Sequence, residues 1–268
     1  MQEVSAGASF RVGAANINTW ILFILYGCSF GVELTMNNAA SLYFQDPPFN
    51  LTTEKAGAIA SIFGFMNLFA RGLGGYASDI GNKKWGMKGR ILALATTIMI
   101  EGAFVLTFAQ TTQLGAAIVV LVFFSTTVQM AEGATYGIVP YVNRQATGSV
   151  SGIVGAGGNV GAVCFGMCFR QMDSYDAFMT MGGVILGAGL LTLFIRIEAC
   201  SSVLFGGIDK KPIDVLNIPV FGNVDELKEP TFEIDDDDVD EELAATSPAE
   251  PASAEPDDEL AEPADTAL

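Results

Sequence analysis

The amino-acid sequence predicts an all-α integral membrane protein: six membrane-spanning helices followed by a disordered acidic tail. Three observations support this fold class. Half of the 268 residues are hydrophobic, and they fall into six long runs separated by short polar gaps. The charge is also segregated. Residues 1–198 carry ten basic and ten acidic side chains, whereas residues 199–268 carry three Lys and twenty Asp or Glu, so the whole net charge of −17 belongs to the tail.

The six apolar runs are each long enough to cross about 30 Å of hydrocarbon as an α-helix, which rises about 1.5 Å per residue. The segment before them, residues 1–16, is small and polar, so it predicts a cytoplasmic segment rather than a signal peptide. The first run is longer than a bilayer requires, which predicts a tilted helix. The runs cover approximately residues 17–44, 55–77, 91–109, 115–140, 150–170 and 177–197.

Basic residues predict the orientation of these helices, because Lys and Arg favour the cytoplasmic side. In one orientation, only Lys55 and Arg170 of the flanking basic residues lie outside. We therefore expect both termini in the cytoplasm and six helices over residues 17–198. The cytoplasmic set is Arg11, Lys83, Lys84, Lys88, Arg90, Arg144, Arg196, Lys210 and Lys211.

The hydropathy falls sharply after Ser201, and residues 199–268 form the predicted tail. It contains an acidic run at Asp235–Asp238 and repeated Glu, Pro and Ala with almost no aromatic residues. Such a composition cannot bury enough apolar surface to fold. We therefore predict a disordered, solvated cytoplasmic tail.

The composition argues against an enzyme. There is no His, which excludes His-ligated metals and Ser-His-Asp triads. The four Cys show no Cys-x-x-Cys spacing and fit small core residues better than a disulfide framework. We predict no catalytic residues, metal, cofactor or nucleic-acid partner.

Four ionisable residues lie inside the predicted spans, namely Glu33, Arg71, Glu101 and Glu132. Such residues are rare in membranes and mark a transport pathway or a buried pair. Glu101 is expected to face another helix, protonated and hydrogen-bonded, either as part of a pathway or as a structural group.

Helical spacing places the other three on polar stripes, because residues three or four apart share a helix face. Four of the six predicted spans carry such a stripe, which is typical of helices that line a central cavity. The stripes are Tyr26, Phe30, Glu33 and Asn37; Gly64, Asn67, Arg71 and Ser78; Ser125, Gln129, Glu132 and Tyr136; and Gly155 with Asn159.

An arginine in such a cavity favours a planar oxyanion, because its guanidinium is planar, always charged and able to donate two parallel hydrogen bonds. Phe30 and Tyr26 could stack on a flat anion, and Asn159 could donate to its oxygens. Glu33 and Glu132 could couple anion movement to proton movement. The alternative is that Arg71 pairs with a carboxylate only to hold the helices together, although buried ion pairs stabilise proteins poorly.

A glycine-rich stretch, Ser151–Gly161, lies in the fifth span, and five of its eleven residues are Gly. Phosphate-binding glycine loops follow a strand and end in Lys, Ser or Thr, but this stretch has apolar sequence on both sides. Glycines in a membrane helix let another backbone approach closely. Helix packing and ligand binding both remain open for this stretch.

Three ordered motifs resemble the C-terminal half of the nitrate/nitrite porters, a family of the major facilitator superfamily, in its eukaryotic high-affinity branch. They are Tyr26–Asn38, Phe69–Asp79 and Gly155–Gly161. In addition, Gly75 and Asp79, followed by Arg90, are similar to the cytoplasmic loop signature of the superfamily. The resemblance covers about residues 17–200.

The resemblance implies two six-helix halves that hold nitrate at the midplane, with one arginine from each half. Arg71 matches the C-terminal arginine, and Tyr26 and Phe30 match aromatic contacts. Gly157, Gly158 and Asn159 match the nitrate signature of the eleventh helix. Because eukaryotic members are considered proton-coupled symporters, Glu33 and Glu132 are candidates for proton coupling.

The chain departs from the family in supplying six spans rather than twelve. It is therefore expected to be a fragment or to pair with the missing N-terminal half. The expected partners are nitrate or nitrite, a coupling proton, the lipid bilayer and an accessory subunit, in the plasma membrane. The alternatives are a porter half for another small anion, or a membrane scaffold or sensor that does not transport.

Overall fold

The computed structural model describes residues 6–197, 200, 202–204, 213, 214 and 216. Within these residues, six helices are long and apolar enough to cross a membrane, which confirms the predicted fold class. The tail predicted for residues 199–268 lies outside the described residues, apart from the few positions named here.

The described chain is almost entirely helical. Spans four and six each contain a short second element, because α6 continues from α5 and a 3-10 helix continues from α8. The elements are α1 Ala6–Ala15, α2 Ile17–Gln45, α3 Thr53–Trp85, α4 Met87–Ala109, α5 Leu114–Tyr136, α6 Val139–Val142, α7 Thr147–Gln171, α8 Ser174–Gly189 and the 3-10 helix Leu190–Phe194.

Several span boundaries differ by a few residues from the approximate prediction, and two of the ends have a clear structural cause. The second span was expected to end near residue 77, but α3 continues to Trp85 because its last turns bury Ser78 and Asn82 among polar partners. The sixth span ends at Phe194 rather than at residue 197, because the chain leaves helical geometry after the 3-10 turn. Most of residues 1–16 form α1, and Asn16 then caps α2 by accepting a 2.9 Å hydrogen bond from the backbone of Asn18.

The helix α2 lies at the centre of the bundle. In its most apolar window, 72% of the residues are buried, against 17% in α3. The closest helix pairs are α2 with α7, α3 with α5 and α4 with α8. Because successive spans alternate in direction, α2, α4 and α7 begin at the end of the bundle where α3 finishes. We call this the basic end, since it carries most of the predicted cytoplasmic Lys and Arg residues.

The far end of the bundle is packed with aromatic side chains. The ring of Tyr43 has its centroid 5.1 Å from those of both Phe108 and Phe178. Phe44 and Phe49 complete this cluster. Aromatic pairs at such separations contribute beyond their buried area, so this cluster joins α2, α4 and α8 firmly at the end opposite the basic residues.

Candidate functional site

Arg71 lies between two carboxylates near the middle of the bundle. Its Nη2 donates to Glu33 Oε2 of α2 at 2.9 Å and also to Glu132 Oε2 of α5. Both glutamates are buried, whereas the Arg71 side chain is 39% exposed. The sequence therefore predicted correctly that these three stripes face one another. These ion pairs are also consistent with the alternative in which Arg71 serves only to hold the helices together.

Two amides complete this cluster. Asn67, one turn before Arg71, donates to Glu33 Oε1 at 2.7 Å. Gln129, one turn before Glu132, has its amide nitrogen assigned from the hydrogen-bond network, 3.3 Å from Glu33 Oε2 and from Glu132 Oε2. Both amides stabilise ionised carboxylates by donating to them. We call Glu33, Asn67, Arg71, Gln129 and Glu132 the Arg71 cluster.

Glycines explain how α3 and α5 come close enough to form this cluster. A Cβ on Gly133 would collide with the backbone carbonyl of Arg71, and a Cβ on Gly74 would lie 2.7 Å from Met130 Cα. A larger residue at either position would separate the two helices. Because Gly133 follows Glu132 directly, the close crossing of the backbones places this carboxylate beside the guanidinium.

An aromatic wall borders the cluster on α2 and α5. The guanidinium carbon of Arg71 lies 5.7 Å from the centroid of the Phe30 ring, within reach of a cation–π interaction. Tyr26 stacks on Phe30 with centroids 5.2 Å apart. Tyr136 meets Tyr26 edge-on at 5.1 Å. The structure thus gathers the two predicted aromatic contacts around Arg71.

The glycine-rich stretch of α7 packs against α2. A Cβ on Gly158 would collide with the Phe30 ring, and one on Gly157 would collide with the backbone carbonyl of Phe23. Gly157 therefore lies at a helix–helix contact. Asn159 is exposed and lies one turn after Gly155, where an added Cβ would be 3.4 Å from the Tyr136 hydroxyl. This arrangement puts Gly158 next to the aromatic wall and Asn159 on a neighbouring open face.

The Arg71 cluster retains unused hydrogen-bonding capacity. Among the described residues, Arg71 Nε and Glu132 Oε1 have no partner. With both carboxylates ionised, the cluster has a formal charge of −1, which opposes an incoming anion. If either carboxylate takes up a proton, the charge becomes zero and part of the guanidinium is released. The geometry is therefore suited to exchanging a carboxylate for an external oxyanion.

The residues that resemble the superfamily's cytoplasmic loop signature, Gly75, Asp79 and Arg90, lie at the basic end in helical segments. Gly75 and Asp79 belong to α3 and Arg90 to α4, so these residues lie on the two helices that flank the connecting turn rather than in the turn itself. The connecting turn needs little more than Gly86, whose φ of 62° favours glycine. The helices can turn this tightly because Gly81 and Gly89 bring their backbones together.

Arg90 organises this end of the bundle. It pairs with Asp79 at 2.8 Å, donates to Ser78 Oγ at 3.1 Å and donates to the Tyr141 hydroxyl at 3.1 Å. Ser78 was predicted to share the cavity stripe of Arg71, but it contacts Arg90 instead because it lies two turns nearer the helix end. Sequence reasoning did not single out Tyr141, because it is an isolated aromatic residue between apolar neighbours.

Ile213, which follows the sixth span in the sequence, contacts the basic end of the bundle. Asn82 donates to the Ile213 carbonyl at 2.9 Å and accepts from the Ile213 backbone N–H at 3.1 Å. The Tyr141 hydroxyl donates to the same carbonyl at 3.3 Å. Sequence reasoning did not single out Asn82, because an amide near a helix end is common and its partner is 131 residues away.

We expect Asn82→Ala to release Ile213 without unfolding the bundle. Each lost hydrogen bond contributes about 1 kcal/mol, so amide exchange at Ile213 should accelerate about tenfold or more. Hydrogen–deuterium exchange with mass spectrometry measures this directly. Asn38→Ala is the matched control, because Asn38 is exposed and donates to the Leu34 carbonyl of its own helix. Unchanged exchange at Ile213 would contradict the contact.

Comparison with known proteins identifies relatives of this chain. Nitrate transporter 2.2 of Chlamydomonas reinhardtii is 46% identical over 205 residues, which are 73% of this chain and 40% of that protein. Nitrate transporter 2.1 of the same organism is 40% identical over 205 residues, 73% of this chain and 37% of that protein. The chain belongs to the nitrate/nitrite porter family. The resemblance in the three sequence motifs is thereby confirmed.

Another relative is named for a compound other than nitrate. Elsinochrome transporter 1 of Elsinoe fawcettii is 34% identical over 188 residues, 66% of this chain and 36% of that protein. No protein-family model matches the chain, and no solved structure matches it. The chain spans about two fifths of the length of the curated relatives it matches. Its six spans fit six helices of the twelve-helix major facilitator fold.

Proposed function

We propose that this chain forms the C-terminal half of a nitrate transporter, with Arg71 as its nitrate-binding residue. The observation that carries the proposal is the Arg71 cluster: a partly exposed guanidinium in the middle of a six-helix bundle, beside Phe30. Nitrate is planar and anionic, so a guanidinium can bind two of its oxygens in one plane. The naming of relatives as nitrate transporters agrees with this chemistry.

The aromatic wall adds a surface for the flat face of the anion. Phe30 lies against Arg71, and Tyr26 stacks on Phe30. From α7, Gly158 packs directly against Phe30 and Gly157 packs against the backbone of α2, while Asn159 lies on the neighbouring exposed face and could donate to the anion. Nitrite has the same charge and a similar planar form, so it is a second candidate substrate of the same site.

Two carboxylates on one guanidinium suggest how a proton takes part. Glu33 and Glu132 occupy the same nitrogen of Arg71 that an anion would use. Protonating one of them removes its hold on Arg71 and cancels the excess negative charge, so proton binding and nitrate binding favour each other. This reciprocity is the thermodynamic requirement for symport. Either glutamate meets the geometric condition.

Transport would proceed by alternating access, with this half rocking against an N-terminal half that contributes a second arginine. The distribution of Lys and Arg supports cytoplasmic termini. The proposed setting is the plasma membrane, and an accessory subunit is a further proposed partner. The glycine contacts between α2 and α7 would let these helices slide. Residues 1–16, 17–198 and 199–268 are the corresponding cytoplasmic segment, helix domain and tail.

A second candidate is a porter half for another anion. It is favoured by the chemistry of the guanidinium, which also suits other oxyanions. In addition, one relative is named as an elsinochrome transporter rather than as a nitrate transporter. A scaffold or sensor is the remaining alternative. In that case Arg71 would serve only to join α2, α3 and α5.

The test is nitrate-elicited current in cells that express this chain together with a six-helix N-terminal half. We expect an inward current that appears only with both halves and grows as the external pH falls, which is the result when more than one proton accompanies each nitrate. Chloride at the same concentration is the matched control ion. Equal currents with both ions, or silence from a pair present at the cell surface, would contradict nitrate transport.

A further inference from the structure

Glu101 of α4 is a buried carboxyl that the Arg71 cluster does not use. Its exposure is 0%, and neither of its oxygens has a hydrogen-bond partner among the described residues. The sequence led us to expect a hydrogen bond to another helix, and this expectation is wrong. An ionised carboxylate without partners is very costly away from water, so the geometry requires this carboxyl to hold a proton.

The helices packed around Glu101 offer no compensating charge. The adjacent Gly102 faces the apolar side chains of Ile185 and Leu186 on α8. The helices packed most closely against α4 are α3, α5 and α8, and their charged residues include Arg71 on α3, Glu132 on α5 and Asp176 in the first turn of α8. Among the described residues, none donates a hydrogen bond to Glu101.

Arg71, the basic residue nearest the middle of the neighbouring helix α3, is engaged elsewhere, and Lys55, Lys83 and Lys84 lie at the ends of that helix. Arg71 donates to Glu33 and Glu132, so Glu101 has no cation of its own within the described bundle.

The surroundings also argue against a metal ion as the ligand. Sodium or another hard cation needs several oxygen ligands, but the hydroxyl of Thr97, one turn before Glu101, donates to the carbonyls of Ala93 and Leu94 in its own helix. No group of metal-binding side chains occurs among the described residues. A proton needs only the carboxyl itself, so it is the ligand that this position suits.

Glu132 connects this position with the Arg71 cluster. One of its oxygens accepts from Arg71, and the other, Oε1, is buried without a partner. Glu101 and Glu132 are both fully buried on two helices, α4 and α5, that pack against each other, so a negative charge on Glu101 would disfavour a negative charge on Glu132. The protonation of Glu101 thus affects how firmly Glu132 holds Arg71.

We propose that Glu101 is a proton-binding site of the transport cycle, coupled to the Arg71 cluster through Glu132. Glu101 keeps its proton in the conformation described here. It releases the proton when α4 separates from α2 and α5 and water enters: the O–H bond breaks, water accepts the proton, and the carboxylate that remains is hydrated. This inference rests on the proposed nitrate transport.

The experiment uses the complete transporter, this chain with its N-terminal half, reconstituted in liposomes with Glu101→Gln. The carboxamide keeps the shape but cannot exchange a proton. We expect exchange of labelled nitrate across the membrane to stay within about twofold of the unmodified protein, and net uptake driven by a pH gradient to fall about tenfold or more, because the coupling proton has lost its site. Glu54→Gln, at an exposed position in the first turn of α3, is the matched control.

Infrared difference spectroscopy of the same samples tests whether the Glu101 carboxyl is protonated, independently of any transport measurement. The carbonyl band of a buried, protonated carboxyl should be present in the unmodified protein and absent from Glu101→Gln. Glu101→Asp, which restores a titratable group, should recover coupled uptake with a shifted pH profile.

Undiminished pH-driven uptake by Glu101→Gln, or an unchanged carbonyl band, would overturn the inference. Uptake that follows a sodium gradient instead of a pH gradient would overturn it in favour of a cation site. An unmodified protein that exchanges no nitrate would refute the proposed function, while the carbonyl band still decides whether Glu101 carries a proton.

Discussion

Nitrate-elicited current should fall about 100-fold when Arg71 is replaced by Lys in the assembled transporter, because hydrogen bonds to a charged group contribute about 1.5–3 kcal/mol each. The lysine keeps the positive charge, so the electrostatic balance with Glu33 and Glu132 is preserved. It loses the planar fork, and one ammonium cannot hold both carboxylates and also present parallel donors to an anion. The expected defect therefore lies in anion binding rather than in folding.

Arg170→Lys provides the matched control for this variant, since Arg170 is exposed in the last turn of α7. Current is measured at equal surface expression, and the nitrate concentration for half-maximal current is determined for each protein. A current for Arg71→Lys equal to that of the control would show that Arg71 only joins helices, and would favour the scaffold alternative.

The Gly161→Ala substitution should disrupt the crossing of α2 and α7. A Cβ at this position would lie 2.7 Å from the carbonyl carbon of Gly27 and 2.8 Å from its Cα, and Gly31 approaches α7 just as closely. Both neighbours are backbone atoms, which cannot rotate away as a side chain could. We expect a loss of about 3 kcal/mol or more of stability, together with displacement of Phe30 from Arg71.

Thermal unfolding of the purified protein in detergent measures this effect, with an expected decrease in Tm of about 6–12 °C. Gly166→Ala is the matched control on the same helix, since a Cβ there meets nothing within 4 Å. If both variants unfold at the same temperature, the close approach of α2 and α7 is not required for stability.

The Arg71 cluster illustrates how far sequence reasoning reaches. Helical spacing put Glu33 and Arg71 on polar faces of their own helices, and the structure brings these faces together. Spacing could not assign partners, however. Ser78 shares a helix and an approximate face with Arg71, yet it bonds to Arg90 because seven residues along a helix carry it about 10 Å away.

Glu101 shows what the sequence could not predict. Its burial was predictable, because it stands in an apolar run, but the missing hydrogen bond was not. A partner depends on the rotation of α4 against α2, α5 and α8, and contacts such as that of Gly102 with Leu186 set this rotation. The information lies in residues more than 80 positions apart, which no local pattern contains.

Local sequence was sufficient for the six spans, the segregation of charge and the family, because bilayer thickness and the helical repeat act on consecutive residues. Only tertiary packing decided that Arg71 is shared by two carboxylates, that Arg90 of α4 pairs with Asp79 of α3, and that Asn82 binds Ile213. The physical reason is that helix crossings depend on backbone contacts at Gly74, Gly133 and Gly161. Small shifts at these crossings determine which polar groups meet in a medium without water.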